Sequence, residues 1–219
     1  MRSSSAIATT LGLLLIFAIP ARGYAEQPVY ASDRAESSRE LSRQATECLR
    51  RGEEAPANDA RLAAYREGLE LARRAVAADD TNADAHYNVF ACDGRIQMIE
   101  GVVPNPVNLM RVNRELDRAL ELNPNHADAL AARGGLYRQL PWVLGGNLDK
   151  AEEYLSRSLK LDPDSPTVLI ELAQTYRDKG QPARAVPLLQ QAVTLAERMK
   201  RERQLTLARQ LLQETQQTR

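Results

Sequence analysis

The chain has 219 residues, enough for one domain with a sizeable core, and carries 29 basic and 29 acidic residues. Removing residues 1–25 takes away Arg2 and Arg22 and no acid, leaving 27 basic and 29 acidic residues. A balance this near neutrality gives no global signal for nucleic acid or for an anionic membrane surface.

The first 25 residues read as an export signal. Arg2 supplies a positive charge, residues 11–19 form an apolar run, and Gly23-Tyr24-Ala25 places small residues at −3 and −1 of a cleavage point. The run is too short for a stable membrane-spanning helix. No cysteine follows it to carry a lipid anchor, and no other run resembles a span. The expectation is a soluble, exported, periplasmic protein starting at Glu26, with no transmembrane anchor. Residues 26–35 show no period and are expected to be a flexible lead-in.

Beyond this point apolar residues recur at helical spacing. Helices are expected over about 36–51, 57–78, 83–100, 106–122, 126–139, 147–161, 166–178 and 182–198, with a ninth near 201–216. Three joints look alike: Ala-Val-Ala-Ala-Asp-Asp-Thr-Asn-Ala-Asp-Ala from Ala75, Ala-Leu-Glu-Leu-Asn-Pro-Asn-His-Ala-Asp-Ala from Ala119, and Ser-Leu-Lys-Leu-Asp-Pro-Asp-Ser-Pro-Thr-Val from Ser158. Each ends one helix, turns with Asp, Asn or Pro, and opens another, with Asn125 and Asp164 as candidate caps. Pro187 lies inside the eighth helix and predicts a local kink.

Asp80, Pro124 and Pro163 hold equivalent places, 44 and 39 residues apart, and Glu197 follows 34 residues later. The longer spacings are a unit of about 34 residues with insertions of 10 and 5. Gly101-Val-Val-Pro-Asn-Pro marks one insertion and Pro141-Trp-Val-Leu-Gly-Gly the other.

The last unit places Leu169, Leu172, Ala173 and Tyr176 on its first helix, and Ala185, Leu189 and Ala192 on its second. The unit before it keeps Leu130, Gly134, Tyr137, Ala151, Leu155 and Pro163. With the 34-residue period, this alternation of bulky and small positions resembles the tetratricopeptide repeat (TPR) family over about residues 36–198. The resemblance implies an all-α fold, a TPR-like right-handed α-solenoid of about four helix-turn-helix units. Residues 199–219 then form a C-terminal capping helix and tail, with Leu205, Ala208, Leu211 and Leu212 on its inner face.

Catalysis finds little support in the residues. His86 reads as structural on a packed helix, and His126 sits in a joint where capping or solvent explains it. No serine elbow, metal-spaced cysteine pair, HExxH or phosphate-cradling loop occurs, so no metal or cofactor is expected. Gly145-Gly146 reads as turn geometry. Cys48 and Cys92 are candidates for a disulfide, the alternative being two buried thiols. The stretch Arg198-Met-Lys-Arg-Glu-Arg reads as a solvated face.

Binding has a more specific signal. Counting from Asp84, Ala127 and Pro166, the twelfth position is Arg95, Arg138 and Arg177. The TPR resemblance puts that position on the inner wall, so the three read as an arginine ladder for carboxylate or phosphate, against a plainer reading as solvated helix ends. Asn88, Gln139 and Gln174 fall on or near the same wall and offer hydrogen bonds. Trp142, the sole tryptophan, is a candidate contact residue in its loop, although folding back to close a gap between helices is the preferred reading.

The segment Gly134-Gly-Leu-Tyr followed by Leu140-Pro-Trp-Val-Leu-Gly-Gly-Asn-Leu-Asp-Lys-Ala is similar to exported bacterial TPR proteins of the kind represented by the T component of TRAP-type transporters, mainly over residues 125–163. Two functions are therefore expected. One is a periplasmic adaptor holding a protein or peptide partner in its concave groove. The alternative, implied by the T-component resemblance, is a small-ligand carrier working with a transporter component.

Overall fold

A computed structural model describes residues 28–102 and 106–217. The export signal expected at 1–25 lies outside the described residues. Helices α1 (Pro28–Glu54), α2 (Asn58–Ala78), α3 (Ala83–Ile99), α4 (Pro106–Leu122), α5 (Ala127–Gln139), α6 (Leu148–Leu161), α7 (Pro166–Asp178), α8 (Pro182–Arg198) and α9 (Glu202–Gln217) follow in order. A single 3₁₀ turn, Trp142–Leu144, interrupts the joint between α5 and α6. No described helix is long and apolar enough to cross a membrane.

The helices pair as α1–α2, α3–α4, α5–α6 and α7–α8, and α9 closes the series against α8. Small residues let the pairs approach. Ala72, Ala75, Ala119, Ala151, Ala185 and Ala192 are fully buried, and Leu116, Leu130, Leu155, Leu169 and Leu189 fill the spaces between them. Two clusters hold most of the large buried apolar side chains among the described residues. One runs from Leu49 and Tyr65 through Phe90 and Leu116 to Ala129, and the other from Leu155 through Leu169 and Leu189 to Leu211. Helix α5 contributes to both, with Ala132 and Leu136 against the first and Ala131 against the second.

Two details differ from the sequence reading. Helix α1 begins at Pro28, so it takes in most of the segment expected to be an irregular lead-in. Residues Ser32, Asp33, Arg34, Glu36 and Ser37 are exposed there, so this first stretch leaves no apolar periodicity to read. The caps of α5 and α7 sit one residue later than Asn125 and Asp164. His126 Nδ1 accepts from the Ala129 N–H at 3.3 Å, and Ser165 Oγ accepts from Val168 at 3.5 Å. Asp164 is instead paired with Arg198 at 2.9 Å. Helix α8 continues through Pro187, which lies on its exposed side.

Buried polar groups tie neighbouring units together. Ser38 Oγ donates to the Ala75 carbonyl at 2.8 Å and accepts from Asn82 Nδ2 at 2.9 Å. Ser158 Oγ donates to the Ala127 carbonyl at 2.8 Å. Each satisfies a group that burial would otherwise penalise.

Candidate binding groove

The odd-numbered helices face a cavity of about 650 Å³. Its walls come from the C-terminal end of α1 at Glu53, the inner side of α3 from Tyr87 to Met98, α5 from Asp128 to Gln139, α7 from Pro166 to Glu171, and α9 at Gln204, with the intervening joints. Among the described residues, none of α2, α4, α6 or α8 lines it. The even helices therefore form the outer layer and the odd helices the concave wall. The wall is largely apolar, with Tyr87, Phe90, Ala91, Ala131, Ala132, Leu136 and Val168, and the exposed side chains of Met98, Val102 and Met199 at its margin. Among the described residues, no cluster of histidine, cysteine and carboxylate side chains is arranged to hold a metal.

Two contacts join the beginning of the solenoid to its end. Arg201 Nη1 donates to Glu54 at 2.6 Å, and Arg203 Nη1 donates to the Glu53 carbonyl at 3.2 Å. Glu53 and Arg201 both line the groove, so these contacts bridge it from one end of the repeat series to the other.

The glycines of the helices divide into two kinds. A Cβ on Gly52 would meet the Tyr65 ring at 2.3 Å, on Gly68 the Cys92 sulfur at 2.9 Å, and on Gly134 the Leu155 Cγ at 2.6 Å. Packing explains all three. A Cβ on Gly94 would meet nothing within 4 Å, and one on Gly135 would make only ordinary contacts at 3.8 Å. Both of these glycines line the groove. Neither adopts the positive φ that demands glycine, as Gly101, Gly145 and Gly180 do.

The arginines at the twelfth positions do not converge on one surface. Arg95 lines the groove and donates to Glu53 at 2.5 Å. Arg138 and Arg177, together with Gln174, line a second cavity of about 480 Å³ between α5, α7 and α9. Arg138 donates to Glu171 at 2.9 Å and lies 3.4 Å from Asp178, while Arg177 donates to Glu214 at 3.1 Å. Each guanidinium is thus matched by a carboxylate of its own chain, which corrects the expectation of a ladder of cations free to meet a ligand. Asn88 is also placed differently from the sequence reading. It is buried, and its Nδ2 donates to the Ser42 carbonyl at 2.9 Å, so it joins α3 to α1 and does not face the groove. Gln139 does line the groove.

What sequence reasoning missed is the acidic side of the groove. Asp128 and Asp162 both line it, and neither makes an ion pair among the described residues. Solvent reaches Asp128 through the open cavity while protein crowds its other sides. That burial pushes its carboxyl above the ordinary range. The nearby His126 and Arg95 oppose the shift, and the negative charges of Asp162 and Glu53 add to it. Burial likewise raises the Tyr87 phenol.

The remaining residues singled out from the sequence have structural or peripheral places. His86 is buried, with Nδ1 2.7 Å from Glu115 and Nε2 3.1 Å from the Asp80 carbonyl, and so ties α3 to α4 and to the preceding joint. His126 caps α5, and its Nε2 lies 3.0 Å from Asp84. Trp142 is 83% exposed, which overturns the preferred reading that it folds back to fill a gap. Gly145 takes a positive φ, and a Cβ on Gly146 would collide with the Leu140 carbonyl, so this pair serves the turn as expected. Cys48 and Cys92 are buried free thiols on either side of Gly68, not a disulfide. Burial pushes both thiols up, Cys92 to about 12.

Paired helices stacked in series, with an outer layer of second helices and a groove lined by first helices, define a tetratricopeptide-type scaffold. A tetratricopeptide repeat model matches residues 144–211. The model described as regulator of microtubule dynamics protein 1-3 matches residues 25–140, more than half of the chain, and the chain belongs to that family. Bovine (Bos taurus) regulator of microtubule dynamics protein 1 is 28% identical over a 127-residue alignment covering 50% of this chain. The chain spans 40% of that protein's length. Among solved structures, Pseudomonas aeruginosa pilF is similar with a TM-score of 0.51 and 19% identity, over 84% of this chain and 78% of that one. TTC0263, a thermophilic TPR protein of Thermus thermophilus, gives 0.50 and 20%, over 81% and 98%. At these identities the two structures support the fold.

Proposed function

We propose that this chain is an exported, periplasmic scaffold that holds a segment of a partner protein in its concave groove, and that it is not an enzyme. The observation that carries the reading is the pair of groove glycines. Glycine inside a helix costs roughly 1 kcal/mol relative to alanine. Gly94 and Gly135 bear that cost with no neighbour among the described residues that needs the space. Both line the groove; Gly94 is half-buried there, so its missing side chain lets another backbone approach, while Gly135 is itself buried. Export is supported by the charge, apolar run and small-residue order of residues 1–25. The two histidines serve the fold, which supports a non-catalytic role. The tetratricopeptide scaffold itself favours a protein partner.

A second reading is transporter-associated carriage of a small ligand, in line with the T-component resemblance. Its support is the volume of the groove, about 650 Å³, and the bridge from the end of α1 to Arg201 at its rim. Native mass spectrometry of the chain recovered from its own cell envelope separates the two. A bound protein released by Gly94→Leu supports the scaffold. A stoichiometric small molecule with no protein moves the function to the carrier. N-terminal sequencing of the same material tests cleavage before Glu26, and an intact Met1 there would refute export by this signal.

A further inference from the structure

We infer that the segment held in the groove is cationic and apolar, presenting a lysine or arginine to Asp128 and Asp162 and an apolar surface to α3 and α5. This rests on the groove being the binding site, and adds which chemistry it selects. Arg95 is engaged by Glu53 at 2.5 Å and Arg201 by Glu54 at 2.6 Å, so neither cation is free. Glu171 is engaged by Arg138 at 2.9 Å and Asp164 by Arg198 at 2.9 Å, so those two acids are satisfied. Asp128 and Asp162 are left, in no ion pair among the described residues, with the negative charge of Asp162 acting against that of Asp128. Beside them stands an apolar wall of Tyr87, Phe90 and Leu136.

A carboxylate partner, as the arginine positions alone had suggested, would meet like charge here. A positive side chain would relieve the repulsion between two carboxylates and gain a charge-assisted hydrogen bond in a crowded site. The apolar neighbours ask that the cation be flanked by apolar side chains. Gly94 lets the backbone carrying it come close.

The test is selection of displayed random dodecapeptides against the full chain, followed by calorimetric titration of synthetic copies of the enriched peptides. Enriched sequences are expected to carry a lysine or arginine between apolar residues. Asp128→Asn is expected to weaken them about tenfold to a hundredfold, the range for a lost charge-assisted hydrogen bond. Asp128→Asn/Asp162→Asn should weaken them further, with circular dichroism unchanged because neither side chain makes a hydrogen bond or ion pair among the described residues. Binders that Gly94→Leu blocks but that are acidic or neutral, and indifferent to Asp128→Asn, would overturn the cationic occupant while leaving the groove as the site. Binders indifferent to Gly94→Leu, or no enrichment at all, would overturn the groove reading as well.

Discussion

Replacing Gly94 by alanine should make the protein more stable, and that outcome bears directly on why the glycine is there. Gly94 lies inside α3, and a Cβ built on it meets nothing within 4 Å, so there is no clash to subtract from the gain. The change from glycine to alanine in a helix interior is worth about 0.8–1.0 kcal/mol. For a chain of this size that corresponds to a rise in melting temperature of roughly 2–4 °C. Gly134→Ala supplies the opposite case in α5. Its Cβ would lie 2.6 Å from Leu155 Cγ and 3.2 Å from the Ala151 carbonyl. Overpacking of this kind costs about 1–3 kcal/mol, which outweighs the helical gain. Thermal unfolding followed by far-ultraviolet circular dichroism, with urea titration as a second measure, compares the two. Stabilisation by Gly94→Ala and destabilisation by Gly134→Ala are expected. If Gly94→Ala lowers the midpoint as much as Gly134→Ala does, the glycine serves the fold, and its value as a sign of a ligand is gone.

Three further outcomes follow from other parts of the structure. Trp142→Ser should leave stability within about 0.5 kcal/mol, as expected for a surface change. The native tryptophan emission should already be that of a solvated indole, and a blue-shifted native spectrum would contradict its 83% exposure. Glu152 accepts from Lys179 at 2.5 Å, Tyr176 at 3.1 Å and Arg184 at 2.9 Å, and the Lys179 bond leads in holding its carboxyl below the ordinary value of 4.5 against the opposing effect of burial. A depressed carboxylate contributes stability that is complete above its unfolded pKa and is lost as pH falls through the folded one. Glu152→Gln should therefore cost about 1 kcal/mol at neutral pH and flatten the acid limb of the stability profile below pH ~4.3, and an unchanged limb would refute the assignment. Cys48 and Cys92, buried and with raised pKa, should resist a thiol-specific disulfide reagent in the native protein and react fully in denaturant. Rapid native labelling would contradict their burial.

The fold was legible because its signals are local. Helical spacing of apolar residues and the Asp, Asn and Pro joints recur along the chain, and the observed helices from α2 onward start and stop within a few residues of the sequence reading. Helix α1 escaped at its start because Ser32, Asp33 and Arg34 are exposed and leave no apolar stripe. The site was harder to read for a different reason. The twelfth-position arginines were identifiable, but their partners Glu53, Glu171 and Glu214 lie 42, 33 and 37 residues away, and no spacing rule announces such pairs. The same holds for the groove glycines. Gly134 and Gly135 are neighbours in one helix, and only the position of Leu155 shows that one is needed for packing and the other is not.

The contacts from Arg201 and Arg203 to the end of α1 change what kind of object the repeat array is. An open superhelix behaves as a spring, free to widen at either end, whereas this array is fastened into a hoop. A segment several residues long entering a hoop must either thread through it or wait for the fastening to part. Exposed ion pairs are weak, typically under about 1 kcal/mol, so parting is frequent, but it comes before capture and again before escape. Association and release should therefore slow together when the fastening is strengthened, with little change in affinity. Salt should quicken release, both by loosening the fastening and by screening the hold of Asp128 and Asp162 on the cation.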